Sequence, residues 1–571
     1  MQRILFLLFR RLRWPLIVLV ITYSIAILGL VLIPGIDDQG NPWRMDFFHA
    51  FYFVSFMGST IGFGEIPYPF TDAQRMWTTV IIYATVITWL YGIGSLLSLL
   101  QDKGFRQVLS FARFTKAVRN LQTPFYIICG YGDAGSQLVH ELSSRGINCV
   151  VIDCNESKIL DLEIDGIQIE VPSLTGDAAD SETLLAAGIK HPQCRAVIAL
   201  TGSDKQNLTI AISSKLLTPK LKVICQSDNL DNAANMASFG TDHIIDPFDV
   251  FGQHFAMMFH SPSMYLVHQW LTSSSDKPLT DFQDPPRGNW VLCGFGRFGK
   301  SVSHYLSKED IPTTLIEADT NSTEAPKTTI EARGTEADTL KMANISDAVG
   351  IIAGTDDDTN NLSIIITARD LNPEIFTVSR QNLLRNNAIF DAAKIHMTMH
   401  PETIAAKYIL GLIKTPLLQD FLELAYEKED EWANILLSRV LGTIENGMLE
   451  TWEIEITPSR APAIYNGLLQ GQAILLRDIC TDPRDYKAQL SCIPLLARQD
   501  DNRILMPNMS THIDDTDRLL FCGNAQAYRQ MRLLINDPQS LHYVQTGKDY
   551  PGGYFWKKFF SNESDQEIYT K

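Results

Sequence analysis

The sequence predicts an α-helical membrane unit fused to a soluble α/β part. The membrane unit has two spanning helices and a re-entrant segment; the soluble part has two doubly wound parallel sheets and a small mixed lobe. Three observations carry this. Residues 14–34 and 76–100 are uncharged, largely apolar runs, each long enough for the roughly 20 residues that a spanning helix needs. A short apolar strand running into a GxGxxG turn occurs twice, at Gly130 and at Gly294. Around both turns strand-like and helix-like segments alternate, as parallel sheets covered by helices require.

The membrane unit is assigned to residues 1–100. Its first run follows Arg3, Arg10, Arg11 and Arg13 and lacks a small-residue cleavage site, so a retained helix over 14–34 is expected rather than a secretory leader. Lys103, Arg106, Arg113, Lys116 and Arg119 follow the second run, whereas Asp37, Asp38, Asp46, Glu65 and Asp72 outnumber Arg44 and Arg75 between the runs. The positive-inside bias then places both termini in the cytoplasm of a cell-membrane protein, with the loop outside. Residues 47–63 form a third apolar stretch, too short to cross. A half-crossing helix and an extended return over 45–65 are expected, since irregular backbone at membrane depth must be buried or line water.

Residues 59–65 read Ser-Thr-Ile-Gly-Phe-Gly-Glu, the pattern of a cation selectivity filter, in which stacked main-chain carbonyls replace an ion's hydration shell. Carbonyls that all face one way need backbone of alternating hand, which glycine adopts at least cost. In the second span Gly92 and Gly94 weaken the helix locally; they mark a gating hinge or a close helix contact.

A basic linker, residues 101–124, leads into the soluble part. Strand 126–129 ends in Gly130-Tyr131-Gly132-Asp133-Ala134-Gly135, and a second strand ends at Asp153. Strand, glycine turn, helix and an acid about 20 residues on make a Rossmann dinucleotide fingerprint. The unit recurs: Gly294-Phe295-Gly296-Arg297-Phe298-Gly299 leads to Glu317, and Gly130 to Gly294 and Asp153 to Glu317 share an offset of 164. Asn207 to Asn361 and Asp246 to His400 share an offset of 154, so the domain is duplicated. We assign 125–285 and 286–418 to the two repeats, 419–535 to the small lobe and 536–571 to a tail with no assigned structure.

These features together resemble the prokaryotic two-transmembrane potassium channels that carry tandem RCK (regulator of potassium conductance, or TrkA-N) domains. The resemblance covers about residues 14–530. It implies a ligand-gated potassium channel: a homotetramer in a lipid bilayer, with eight RCK domains in a cytosolic ring. It also implies K+ ligation by the carbonyls of Thr60, Ile61, Gly62 and Phe63 and the Thr60 hydroxyl, with Gly64 closing the filter. Phe63 stands where the commoner tyrosine would hydrogen-bond behind the filter, so a non-selective cation pore is the alternative of the same build. A nucleotide-binding regulatory subunit of a potassium uptake system is the alternative of another class.

The glycine turns present phosphate sites at helix N-termini, through Gly130, Gly132 and Gly135 in one repeat and Gly294, Gly296 and Gly299 in the other. Asp153 and Glu317 accept from ribose hydroxyls and disfavour a 2′-phosphate, so NAD, ADP or ATP is expected rather than NADP. Asp177 is assigned to the adenine side. Arg297 and Arg380 stand where the first repeat has Asp133 and Gln226, which makes the second cleft the better one for a phosphate-dense ligand.

Other classes fit less well. The formal charge is −17, and residues 1–125 carry 11 Lys/Arg against 6 Asp/Glu, so the soluble part is strongly acidic and no nucleic-acid partner is expected. The 12 histidines show no HExxH or similar spacing, and His191, His243 and His400 are assigned to loops or surface, so no enzymatic role is expected. The nine cysteines include no CxxC and are read as reduced, buried thiols. Asp356–Asp358 and Asp514–Asp517 offer oxygens of the kind Ca2+ takes. Neither run matches an EF-hand loop, and helix caps or turns account for them more simply, with Ca2+ kept as an additional ligand to test.

Overall fold

The computed structural model describes residues 2–272, 284–443, 449–500 and 502–548. Helices α1 (Gln2–Leu32), α2 (Phe47–Gly58) and α3 (Asp72–Gln101) form the membrane unit. Residues Leu12–Leu32 and Asp72–Leu99 are long and apolar enough to span a bilayer. Asp46 caps α2 by accepting from His49 N at 2.7 Å. Thr71 and Gln74 make a reciprocal capping box that starts α3. The two spans pack at small residues with polar bonds between them. A Cβ on Gly29 would sit 2.1 Å from the Trp77 indole, whose Nε1 donates to Ala26 O at 3.2 Å. Trp89 Nε1 donates to Tyr23 OH at 2.8 Å. Close approach at glycine and polar pairing between helices are how spans associate where lipid removes the hydrophobic drive. Elsewhere Leu16, Val20, Ile21, Ile25, Val80 and Ile87 are exposed, an apolar coat suited to lipid.

The expected linker is largely helical. Asp102 both ends α3 and caps α4 (Lys103–Arg119), accepting from Phe105 N at 3.0 Å. Phe114 and Val118 of α4 are buried in the core of the first repeat. An amphipathic pattern was present there, masked by the basic residues on its outer face.

The first repeat is a six-stranded parallel sheet of β1 (Phe125–Cys129), β2 (Asn148–Asp153), β3 (Ser173–Thr175), β4 (Cys194–Ala199), β5 (Lys222–Gln226) and β6 (His243–Ile245). Its order is β3-β2-β1-β4-β5-β6, the doubly wound order that opens a crevice where the winding reverses, beside β1 and β4. After β1 comes α5 (Asp133–Ser144), and after β6 the hairpin of α6 (Pro247–His260) and α7 (Pro262–Thr272). The second repeat copies this with β7 (Trp290–Cys293), β8 (Thr313–Glu317), β9 (Ile330–Glu331), β10 (Gly350–Ala353), β11 (Phe376–Arg380) and β12 (Met397–Met399), in order β9-β8-β7-β10-β11-β12. Helix α8 (Arg297–Lys308) follows β7, and α9 (Pro401–Lys414) follows β12. His243 begins β6 rather than a loop, and burial lowers its basicity.

The repeats exchange their last helices. Phe248, Phe251 and Phe255 of α6 are buried with Trp290, Phe298 and Val302 of the second repeat. Ala406, Ile409 and Leu412 of α9 are buried with Ile128, Leu138 and Leu142 of the first. Polar contacts secure both crossings: Ser301 Oγ donates to Phe248 O at 3.0 Å, and Gln137 Nε2 donates to Thr403 Oγ1 at 3.1 Å. Each repeat therefore covers the glycine-turn helix of the other.

The small lobe is an antiparallel sheet of Glu450–Glu455, Arg518–Gly523, Cys492–Gln499 and Asn502–Leu505, in that order. The tail is partly structured, since Pro538–Thr546 is a helix capped by Asp537; residues 549–571 lie outside the described ones. Eight of the nine cysteines are buried free thiols, and Cys154 is exposed.

The α6–α7 hairpin holds an acid-sensitive contact. The His254 and His268 rings lie in contact, centroids 4.1 Å apart and planes tilted by 54°. Burial pushes His254 down to about 4, and burial, then the neighbouring His254, holds His268 well below the usual imidazole value. A depressed folded value means that this stability is complete above the unfolded value near 6.5 and is lost as pH falls toward 4. Thermal unfolding of the detergent-solubilised chain at pH 7.5 and 5.0 should show an acid loss that His254→Gln reduces.

Candidate functional site

Helix α2 delivers the chain into the loop at residues 59–65. Thr60 N donates to Met57 O at 3.0 Å and Ile61 N to Phe56 O at 2.9 Å, closing the helix onto the loop. Thr60, Gly62 and Gly64 then have φ of +62°, +67° and +98°, and every second residue is left-handed, as a one-sided carbonyl ladder demands. A Cβ on Gly62 or Gly64 would meet no atom within 4 Å, so backbone conformation rather than space calls for glycine there. The Phe63 ring packs edge-on against Phe56, centroids 5.5 Å apart.

The loop leaves through Glu65, whose two oxygens take Arg75 Nε at 2.8 Å and Nη2 at 3.2 Å. Glu65 Oε2 also accepts from Phe70 N at 2.8 Å. This brace ties the loop to the first turn of α3. Sequence reading counted Arg75 only as a loop charge; an acid directly after the glycine pattern and an arginine just inside the next helix were the available signal. Gly92 and Gly94 lie within α3, which passes through both as continuous helix, and a Cβ at either would meet nothing within 4 Å in this chain.

The two glycine turns are alike in detail. Gly130 and Gly294 have φ of +108° and +95°. A Cβ on Gly135 would lie 2.0 Å from Gly130 O, and one on Gly299 would lie 2.0 Å from Gly294 O. Gly132 and Gly296 cap their helices with nothing within 4 Å of an added Cβ. The first glycine makes the turn, the second leaves room for a ligand's phosphates and the third lets helix and strand close up.

Asp153 Oδ2 accepts from Tyr131 N at 2.6 Å, and Glu317 Oε2 from Phe295 N at 2.5 Å. Both carboxylates stand at strand ends beside the glycine turns. Asn207 Nδ2 donates to Gln226 O at 2.9 Å and Asn361 Nδ2 to Arg380 O at 2.8 Å. These buried amides fix the strand ends that line the crevices. Asp177 follows β3 and accepts from Ala179 N at 2.8 Å, so its carboxylate shapes the turn it was expected to contribute from.

The clefts differ in charge. Arg297 and Arg380 lie over the Phe248 ring, 5.3 and 4.8 Å from its centroid, and Arg297 pairs with Asp228 at 2.7 Å. Burial, then the nearby Arg297, lowers the Arg380 basicity. In the first cleft, burial and then the nearby Asp133 raise the pKa of Glu402 of α9. Asp228, Phe248 and Glu402 were not foreseen, because they enter each cleft from its neighbour. Of the acidic runs, Asp357 caps a helix and Asp358 accepts from Asn382 N at 2.6 Å. Among the described residues, no group of three or more His, Cys, Asp or Glu side chains is placed to hold a metal ion.

Comparison with known proteins places these parts. Residues 16–102 match the ion channel family model, and residues 126–247 and 290–401 match the TrkA-N domain. The chain joins an ion-channel domain to two TrkA-N domains. The ion-channel match runs from within α1 through α3, and each TrkA-N match ends where its exchanged helix begins. An uncharacterized protein of Methanothermus fervidus is 29% identical over 40% of this chain and 35% of its own length. Potassium channel protein 1 of Methanocaldococcus jannaschii is 28% identical over 40% of this chain and 68% of its own. This chain thus spans about a third of the first relative and two thirds of the second. The solved GsuK channel aligns over 94% of this chain and 100% of its own, at 16% identity and a TM-score of 0.49.

Proposed function

We propose that the chain is a ligand-gated potassium channel. Four copies surround one axis in a cell membrane, with both termini cytoplasmic, and K+ passes the carbonyls of Thr60, Ile61, Gly62 and Phe63. The carrying observation is the alternating backbone at Thr60, Gly62 and Gly64, set between two span-length helices of a chain that also carries two nucleotide clefts. We read the clefts as regulatory rather than enzymatic: glycine turns, ribose-facing acids and guanidiniums bind a nucleotide without positioning a reacting partner. Helix α4 runs from the end of α3 into the core of the first repeat, so a change of ring shape is transmitted to the pore through ordered helix.

A ligand moves such an equilibrium only by its differential affinity for the two states. If each of about eight clefts prefers one state roughly threefold, together they supply about 5 kcal/mol, enough to carry the gate from mostly closed to mostly open. The test is rubidium flux into liposomes holding the full chain, with and without NAD, ADP, ATP and Ca2+. A nucleotide-dependent change in flux is expected; flux indifferent to all of them contradicts the gating.

A further inference from the structure

The second cleft is composite, and its charges are only partly answered. Arg297 is the first residue of α8 and Arg380 the last of β11, while Phe248 beneath both belongs to α6 of the first repeat. Asp228, two residues beyond β5, takes Arg297 Nη1 with its Oδ2 at 2.7 Å. Its other oxygen, Oδ1, is buried with no hydrogen-bond partner, and so is Arg380 Nε. Arg380 makes no ion pair among the described residues. Nearby Asp358 is occupied by Asn382, Leu383 and Asn386.

We propose that this cleft takes a nucleoside di- or triphosphate whose terminal phosphate displaces Asp228 from Arg297, so that loading the cleft breaks an ion pair between the two repeats. The inference rests on the nucleotide-gated reading above and names the ligand class and the step that couples it. A phosphate offers several acceptor oxygens and more charge than one carboxylate, and guanidinium forks suit it. The N-terminus of α8 adds free N–H groups on the same side. Arg297 is about half exposed, and pairs of that kind are weak, so the exchange is easy. The first cleft is the more acidic at equivalent places: Asp133 for Arg297, the neutral Gln226 for Arg380, and Glu402 for Phe248. A polyphosphate is therefore favoured in the second cleft over the first.

The test uses the full chain in detergent micelles, titrated calorimetrically with ADP and with adenosine, and the same variants in liposome flux. Asp228→Asn should tighten ADP roughly threefold, the size of a partly exposed ion pair, and leave adenosine unchanged. Its ligand-free flux should shift in the direction in which ADP shifts the wild type. Arg380→Gln should weaken ADP by about tenfold or more. Asp228→Asn that binds ADP no better than wild type and gates as wild type overturns the exchange while leaving nucleotide gating intact. A conducting wild type that binds no ADP removes both.

Discussion

Gly62→Asp abolishes rubidium flux, by about a hundredfold or more, while ADP binding by the soluble part stays at the wild-type level. Gly62 has φ of +67°, a conformation that costs an L-residue about 1–2 kcal/mol. In a tetramer that cost falls four times on one narrow loop. The carboxylates would also stand where dehydrated ions must pass and leave again, and conduction requires binding weak enough for exit. The loop lies in the membrane unit and reaches the nucleotide clefts through the helices that lead into α4, so binding is spared. Flux and calorimetry on one preparation check both halves, and retained flux would remove the pore from residues 59–65.

The second large effect concerns selectivity. Phe63 has no hydroxyl to hydrogen-bond behind the proposed filter, and the Glu65–Arg75 fork with the Phe70 N–H ties the C-terminal end of the loop to α3. Glu65→Gln should keep conduction but lower the preference for K+ over Na+ by about tenfold, because a loosened carbonyl cage adapts to the smaller ion. The exchanged pair Glu65→Arg with Arg75→Glu should recover part of it, which a purely local defect at either residue would not. Bi-ionic reversal potentials read this out. Unchanged selectivity in Glu65→Gln would mean that the brace is ornamental to the filter.

Much of this was legible in the sequence, for a physical reason. The span-length apolar helices, the left-handed backbone at Gly62 and Gly64 and the turn geometry at Gly130, Gly132 and Gly135 are local demands on length and backbone, and residue type reports them directly. The exchange of α6 and α9 was not legible. Periodicity shows that Phe248, Phe251 and Phe255 share a buried face, but not which sheet covers it. The same limit hid Asp228 from the second cleft and Arg75 from the loop at residues 59–65, since both act across a junction between segments. Helix α4 was not legible because the basic face of Lys103, Arg106, Arg113 and Lys116 dominates its composition, while its buried face is only Phe114 and Val118. The helix Pro538–Thr546 was missed because its cap, Asp537-Pro538, resembles a turn when read alone.

The most direct test of selective conduction is the reversal potential of currents carried by the purified chain in a planar bilayer, with K+ on one side and Na+ on the other. NAD, ADP and ATP are each supplied in turn. Currents that reverse close to the potassium equilibrium potential are the predicted result. Currents that reverse near zero, or a bilayer that stays silent with every ligand, would contradict it.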